Sequence, residues 1–177
     1  MTSKELTRIA LSTALIAIGA FITIPLGPVP FTLQTLFVIL AGLFLKPSHA
    51  GLSAFLYMLI GLIGVPIFAG FSGGLQSIAS PTFGFIISFI PMAYIISKFG
   101  HGSMDNKKII LGILIGVIVS YILGLIYLKV GLTRVQGVEV PMSKVLSLGL
   151  IPFIIPDTIK IILAIIIYKR TYKYISK

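Results

Sequence analysis

Between Arg8 and Lys46, and again between Lys46 and Lys98, the chain carries no Asp, Glu, Lys or Arg. One crossing of a bilayer's hydrocarbon core takes roughly 20 predominantly apolar residues, so each of these tracts has room for two crossings. Over the whole chain only 10% of residues are charged, and the mean hydropathy is +1.12. Soluble domains average about 25% charged residues, so this chain cannot cover a water-facing surface. The sequence therefore predicts an all-α, polytopic membrane protein embedded in the lipid bilayer of the cell membrane.

Proline and glycine divide the sequence into six apolar segments, at about 6–24, 32–45, 50–64, 82–98, 108–129 and 145–168. Three prolines in PLGPVP end the first segment, and Pro91 marks a bend in the fourth. Lys4 and Arg8 precede an apolar stretch as in a secretory signal, but no small-x-small cleavage site follows, so residues 9–24 read as a retained helix. The connections 25–31 and 65–81 are almost uncharged. Irregular backbone at membrane depth survives only where protein buries it or where it lines a cavity. Both connections are accordingly expected to fold back over the bundle and close one end of it. No repeat and no polar linker is evident, so residues 1–177 read as one six-helix domain.

Basic residues set the orientation. Lys4, Arg8, Lys46, Lys98, Lys107, Lys108, Lys169, Arg170, Lys173 and Lys177 fall on one side, whereas Lys129, Arg134 and Lys144 fall on the other. That imbalance predicts cytoplasmic termini. The net charge of +10 is thus a topology signal; nucleic acid is not implied, because aromatic-interleaved basic patches are missing. With no cysteine, disulfides and thiolate metal sites are excluded. His49 and His101 read as loop residues, so no metal is expected, and nothing points to a cofactor.

The stretch PFIIPDTIKIIL places Asp157 and Lys160 inside an apolar run. Each charge at a helix centre costs roughly 2.5–3.5 kcal/mol on insertion scales. At i and i+3 the two side chains project from one face. An ion pair that merely neutralises itself is one reading; a polar ligand pocket inside the bundle is the other. Pro152 and Pro156 favour the pocket by loosening the helix just before the pair, and Pro156 fits the first turn of a restarted helix. A carboxylate beside an ammonium complements a urea-like group, with N–H donors and a carbonyl, or a zwitterion.

Further candidates for the wall of such a pocket are Gln34, Gln76, Thr82 and Tyr121, with the rings of Phe31, Phe68, Phe71, Phe83 and Phe85 near the same loops. Gly112, Gly116, Ser120 and Gly124 recur every fourth residue, a spacing that lets a neighbouring helix come close within the bundle. Ala10 and Ala14 form a shorter version whose plain reading is also internal packing. No phosphate-binding loop, HExxH or G-x-S-x-G motif occurs, and four acidic residues cannot supply a carboxylate relay, so an enzyme is not expected.

In PLGPVPFTLQTLFVILAGLFL (25–45), LIGLIGVPIFAGFSGGLQSIASPTFGF (59–85) and IPFIIPDTIKIILA (151–164) the chain resembles the BioY family. BioY proteins are the biotin-specific substrate-binding (S) components of energy-coupling-factor (ECF) transporters. The resemblance implies a six-helix protein that binds biotin with high affinity and takes it up. The partners it implies are a transmembrane coupling subunit and two cytoplasmic ATPase subunits. It also implies that Asp157 and Lys160 face the ureido ring, and that Ala10 and Ala14 dock on the coupling subunit. One departure stands out. The family pattern GPTGGY is here SPTFGF, with Phe83 for a glycine and Phe85 for a tyrosine. The competing functions are an S component for another vitamin or small zwitterion, and a non-transporting structural membrane protein.

Overall fold

The computed structural model describes residues 1–25 and 27–175, apart from the side chains of Lys173 and Ile175. Leu26 in the first connection, and Lys177 of the basic set, lie outside the described residues. Helix α1 (Ser3–Phe21) opens with a reciprocal cap. The Thr2 hydroxyl accepts from the Glu5 amide at 3.3 Å, and the Glu5 carboxylate accepts from the Thr2 amide at 3.0 Å. Lys46 reaches the same carboxylate at 2.9 Å, tying the start of α1 to the start of α3 (Pro47–Leu62).

The helix expected to run to residue 24 stops at Phe21. Beyond it, β1 (Thr23–Ile24) pairs antiparallel with β2 (Phe31–Thr32), Thr23 opposite Thr32 and Ile24 opposite Phe31. The prolines at 25, 28 and 30 cannot donate to a helix, and the hairpin supplies backbone partners that the irregular segment would otherwise lack. Helix α2 (Gln34–Phe44) follows, then α3, which begins with Pro47 in its first turn. The second connection is tied by an isolated bridge between Phe68 and Ser72 and holds a 3-10 helix at Leu75–Ala79.

Helix α4 (Phe83–Gly100) continues through Pro91. Helix α5 spans Asn106–Gln136, past the expected end at 129. Arg134 therefore sits on the helix and not in a loop, while Lys129, expected as its last residue, lies well inside it. Long basic side chains can carry their charge out to the interface while the backbone stays helical. What stops α5 is Gly137, at φ 69, capping the last turn. The sixth apolar segment is interrupted. It comprises α6 (Met142–Gly149), a 3-10 turn at Ile151–Phe153, and α7 (Ile154–Ile175), with the break falling at Pro152. By length and composition Phe83–Gly100, Asn106–Gln136 and the 142–172 segment are each able to cross a membrane.

Helix α4 lies at the centre and packs on α2, α3 and α5. Met92 and Ile96 are fully buried there with Ile39, Leu43 and Ile113. Aliphatic side chains such as Ile118, Ile122, Ile159 and Ile162 face outward, as a lipid-facing surface requires. The small-residue stripe of α5 faces α4: a Cβ on Gly112 would lie 2.7 Å from Phe99 Cβ, and one on Gly116 2.7 Å from Ile96 Cγ1. Ser120, in the same row, bonds Ser88 of α4 at 2.7 Å. Ala10 and Ala14 do the opposite. Both are exposed on the outer face of α1, so neither packs inside this bundle.

Replacing Gly116 by valine forces α4 and α5 apart. We expect a loss of about 1–3 kcal/mol, the usual range for overpacking a tight core. It should be seen as a lower thermal midpoint in detergent, and an unchanged midpoint would show that the α4–α5 contact is not close-packed.

Candidate ligand-binding site

The break at Pro152 decides where the buried charges stand. Because α7 restarts at Ile154, Asp157 lies in its first turn, where unpaired backbone N–H groups favour a carboxylate. Lys160 follows one turn later, and its ammonium donates to Asp157 Oδ1 at 2.8 Å and to the Thr35 hydroxyl of α2 at 3.0 Å. The other Asp157 oxygen accepts from the hydroxyl of Tyr121 on α5. The Lys160 ammonium also sits 4.2 Å from the centroid of the Phe31 ring, which comes from β2. Four elements thus converge on one acid and one base. Among the described residues no buried side-chain nitrogen or oxygen lacks a partner.

This cluster forms part of the wall of a cavity of about 740 Å³. Of the candidates chosen from the sequence, Asp157, Lys160, Gln34, Gln76, Thr82, Phe83 and Tyr121 all line it. Phe31 does not; its ring lies against Lys160 and shields the ammonium from one side. The two irregular connections supply much of the rim, through Pro28, Val29 and Pro30 from the first and Pro66, Phe71 and Gly73 from the second. Phe89 and Met92 of α4, with Val117 and Ser120 of α5, add wall from the helices.

Further contacts brace the wall. The Gln34 amide donates to the Tyr57 hydroxyl at 2.7 Å, and Tyr57 donates to the Ile67 carbonyl at 3.2 Å, joining α2, α3 and the second connection. Phe71, a non-glycine residue in the left-handed region at φ 55, stacks on Phe21 at the end of α1, with centroids 4.8 Å apart. Thr82 shares a hydrogen bond with Ser80 at 2.9 Å, while the Gln76 amide bonds back to the Gly73 carbonyl. Phe83 is buried between Phe68 and Tyr127, at centroid distances of 6.1 and 6.3 Å. Phe85 meets the ring of Tyr121 edge-on at 6.4 Å. The two phenylalanines of SPTFGF therefore build apolar wall where a glycine and a tyrosine would leave more room and a hydroxyl.

Sequence reasoning missed Thr35 and Ser120 as polar wall. Thr35 carries a weak local signal, as the second member of the polar pair Gln34–Thr35 between two leucines; Ser120 reads from its spacing as a packing residue, a role it also serves.

Chemically, the site offers a carboxylate and an ammonium that already satisfy each other, yet neither is saturated. Asp157 keeps lone pairs beyond the two bonds it accepts, and Lys160 keeps an N–H beyond the two it donates. The arrangement suits a small, mainly apolar molecule with adjacent N–H donors and a carbonyl.

The chain is matched over residues 1–177 by the model of the BioY family. It is 44% identical over 170 residues to a probable biotin transporter BioY of Pyrococcus horikoshii, covering 96% of this chain and 97% of that one. The biotin transporter BioY of Thermotoga maritima is 35% identical over 170 residues, with 96% of each chain covered. Among solved structures, the S-component for biotin from an ECF-type ABC transporter superimposes with a TM-score of 0.83 at 32% identity, over 98% of this chain and 95% of that one. The S component of a bacterial ECF transporter gives 0.70 over the full length of both chains at 20% identity, a likeness of fold alone. With its whole length matched and its segments in the family's order, this multi-pass membrane chain belongs to the BioY family.

Proposed function

We propose that this chain binds biotin with high affinity and serves as the substrate-specific component of an ECF-type ABC transporter. The observation that carries the reading is the unsaturated Asp157–Lys160 pair on the wall of a cavity that several aromatic rings help to line. Biotin's ureido ring has two N–H donors and one carbonyl. The donors match the remaining lone pairs of Asp157, and the carbonyl matches the remaining N–H of Lys160. Gln34, Gln76, Thr82, Phe83 and Tyr121 would supply the rest of the contact surface, and Phe31 would hold the ammonium in place. The fused rings and aliphatic chain suit the apolar wall around Phe85, Phe89 and Met92.

The partners in this reading are a transmembrane coupling subunit and two cytoplasmic ATPase subunits. Ala10 and Ala14 are exposed on α1 and too small to hold a neighbouring helix at a distance, which supports a docking role for that face. The excess of basic residues on the side of the termini supports cytoplasmic termini, with the hairpin and the second connection facing out. A different vitamin or a small zwitterion in the same cavity is the competing reading, because the charged pair also complements a zwitterion.

Biotin should be present in gently purified protein, by mass spectrometry. It should be displaced by desthiobiotin and not by thiamine, and displacement by thiamine alone would favour the competing reading. Asp157→Asn should weaken equilibrium biotin binding more than tenfold, about 1.4 kcal/mol or more; unchanged affinity would remove Asp157 from the site. Ala14→Leu should abolish uptake in cells carrying the full transporter while leaving the affinity of the isolated protein unchanged. Loss of both would instead point to a folding defect.

A further inference from the structure

Away from the main cavity, a second hollow of about 310 Å³ lies on the outer side of the bundle, between α4, α5 and the 3-10 helix at 75–79. Its walls are aliphatic and exposed. Ile87 of α4 faces Leu123, Ile126 and Val130 of α5, with Ile78 at one end. Positions 123, 126, 130 and 134 recur at helical spacing, so Arg134 continues the same stripe and lines the hollow.

Arg134 is exposed and makes no ion pair among the described residues. Glu139, the acid of the neighbouring loop, pairs instead with Lys129 at 3.4 Å. At 31 residues, α5 is about 46 Å long at a rise of about 1.5 Å per residue, against about 30 Å of hydrocarbon. Its last turns therefore reach the headgroup layer, and the guanidinium stands at phosphate depth above an aliphatic trough.

From this geometry we infer that the groove is a binding site for an anionic phospholipid, with an acyl chain along Ile126 and Val130 and the phosphate on Arg134. A guanidinium matches phosphate oxygens in a paired, forked geometry that an ammonium cannot reproduce. A free anion would leave the aliphatic walls unused, and an apolar protein helix would leave the guanidinium unpaired. The site is separate from the ligand cavity but shares a partition with it. Gln76 and Ser77 of the 3-10 helix face the cavity, whereas Ile78 and Ala79 face the groove. The Tyr127 hydroxyl holds this partition to α5 by donating to the Ile78 carbonyl.

The test uses full-length protein reconstituted in equal parts phosphatidylglycerol and phosphatidylcholine, extracted in mild detergent, with retained lipid counted by native mass spectrometry. Wild type should keep phosphatidylglycerol in preference to phosphatidylcholine. Arg134→Gln should lower that retention about fivefold, the effect of one basic residue on an anionic headgroup. Val130→Trp, which fills the trough and spares the charge, should lower retention of the lipid likewise, and Lys144→Gln should leave it unchanged. Equal retention of the two lipids by wild type would overturn the inference. So would retention unaffected by both groove variants, or an equal loss in Lys144→Gln.

Discussion

Taking Lys160 and Asp157 out of water is unfavourable for each alone and tolerable only together. Removing one partner of a buried pair typically costs about 3–5 kcal/mol, because the survivor keeps its charge without compensation. The fold answers that constraint by bringing a partner from each surrounding element: Thr35 from α2, Tyr121 from α5 and the Phe31 ring from β2. Since those elements are far apart in sequence, satisfying the pair also fixes how α7 sits against the rest of the bundle. The interruption at Pro152 belongs to the same arrangement, because it starts α7 where the carboxylate meets the helix's positive end.

The molecule divides into a close-packed part and an irregular part, and each has its own physical logic. Where α4 meets α5, glycine and serine remove side-chain bulk so that dispersion contacts and the Ser88–Ser120 bond hold the helices. In the two connections that rim the cavity, where no α-helix forms, backbone partners come from a two-residue hairpin, a one-bridge loop and a short 3-10 helix. These are weak elements individually. They are stabilised by rings and by buried polar links such as Gln34–Tyr57–Ile67.

The sequence made the membrane class, the six apolar segments and the buried charge pair legible, because each is written locally, in a charge-free tract or an i, i+3 spacing. The small-residue stripe was legible as a close contact, although only the structure names α4 as its partner. The hairpin was not legible, since two residues per strand give no alternation to read. The split of the sixth segment was half visible, through its prolines, but the apolar pattern runs on across the break. The far end of α5 was not legible, because a basic Lys129 looks like a helix end and Arg134 like a loop residue until the helix is seen to extend beneath both. The contact of Thr35 with Lys160 spans 125 positions, and no local pattern encodes it. Phe31 shows a subtler limit. The residue type suggested a wall, and proximity to an ammonium gave it another place.

The pair's two charges, one positive and one negative at a 2.8 Å contact, sum to zero. A transmembrane voltage exerts about 2.3 kcal/mol per elementary charge for each 100 mV, but it finds no net charge here to pull on. An uncharged molecule entering beside the pair leaves that balance intact. Occupancy of this chamber is thus electrically silent at the pair itself, and a changing membrane potential bears on the filling of the site through whatever charge the guest carries elsewhere.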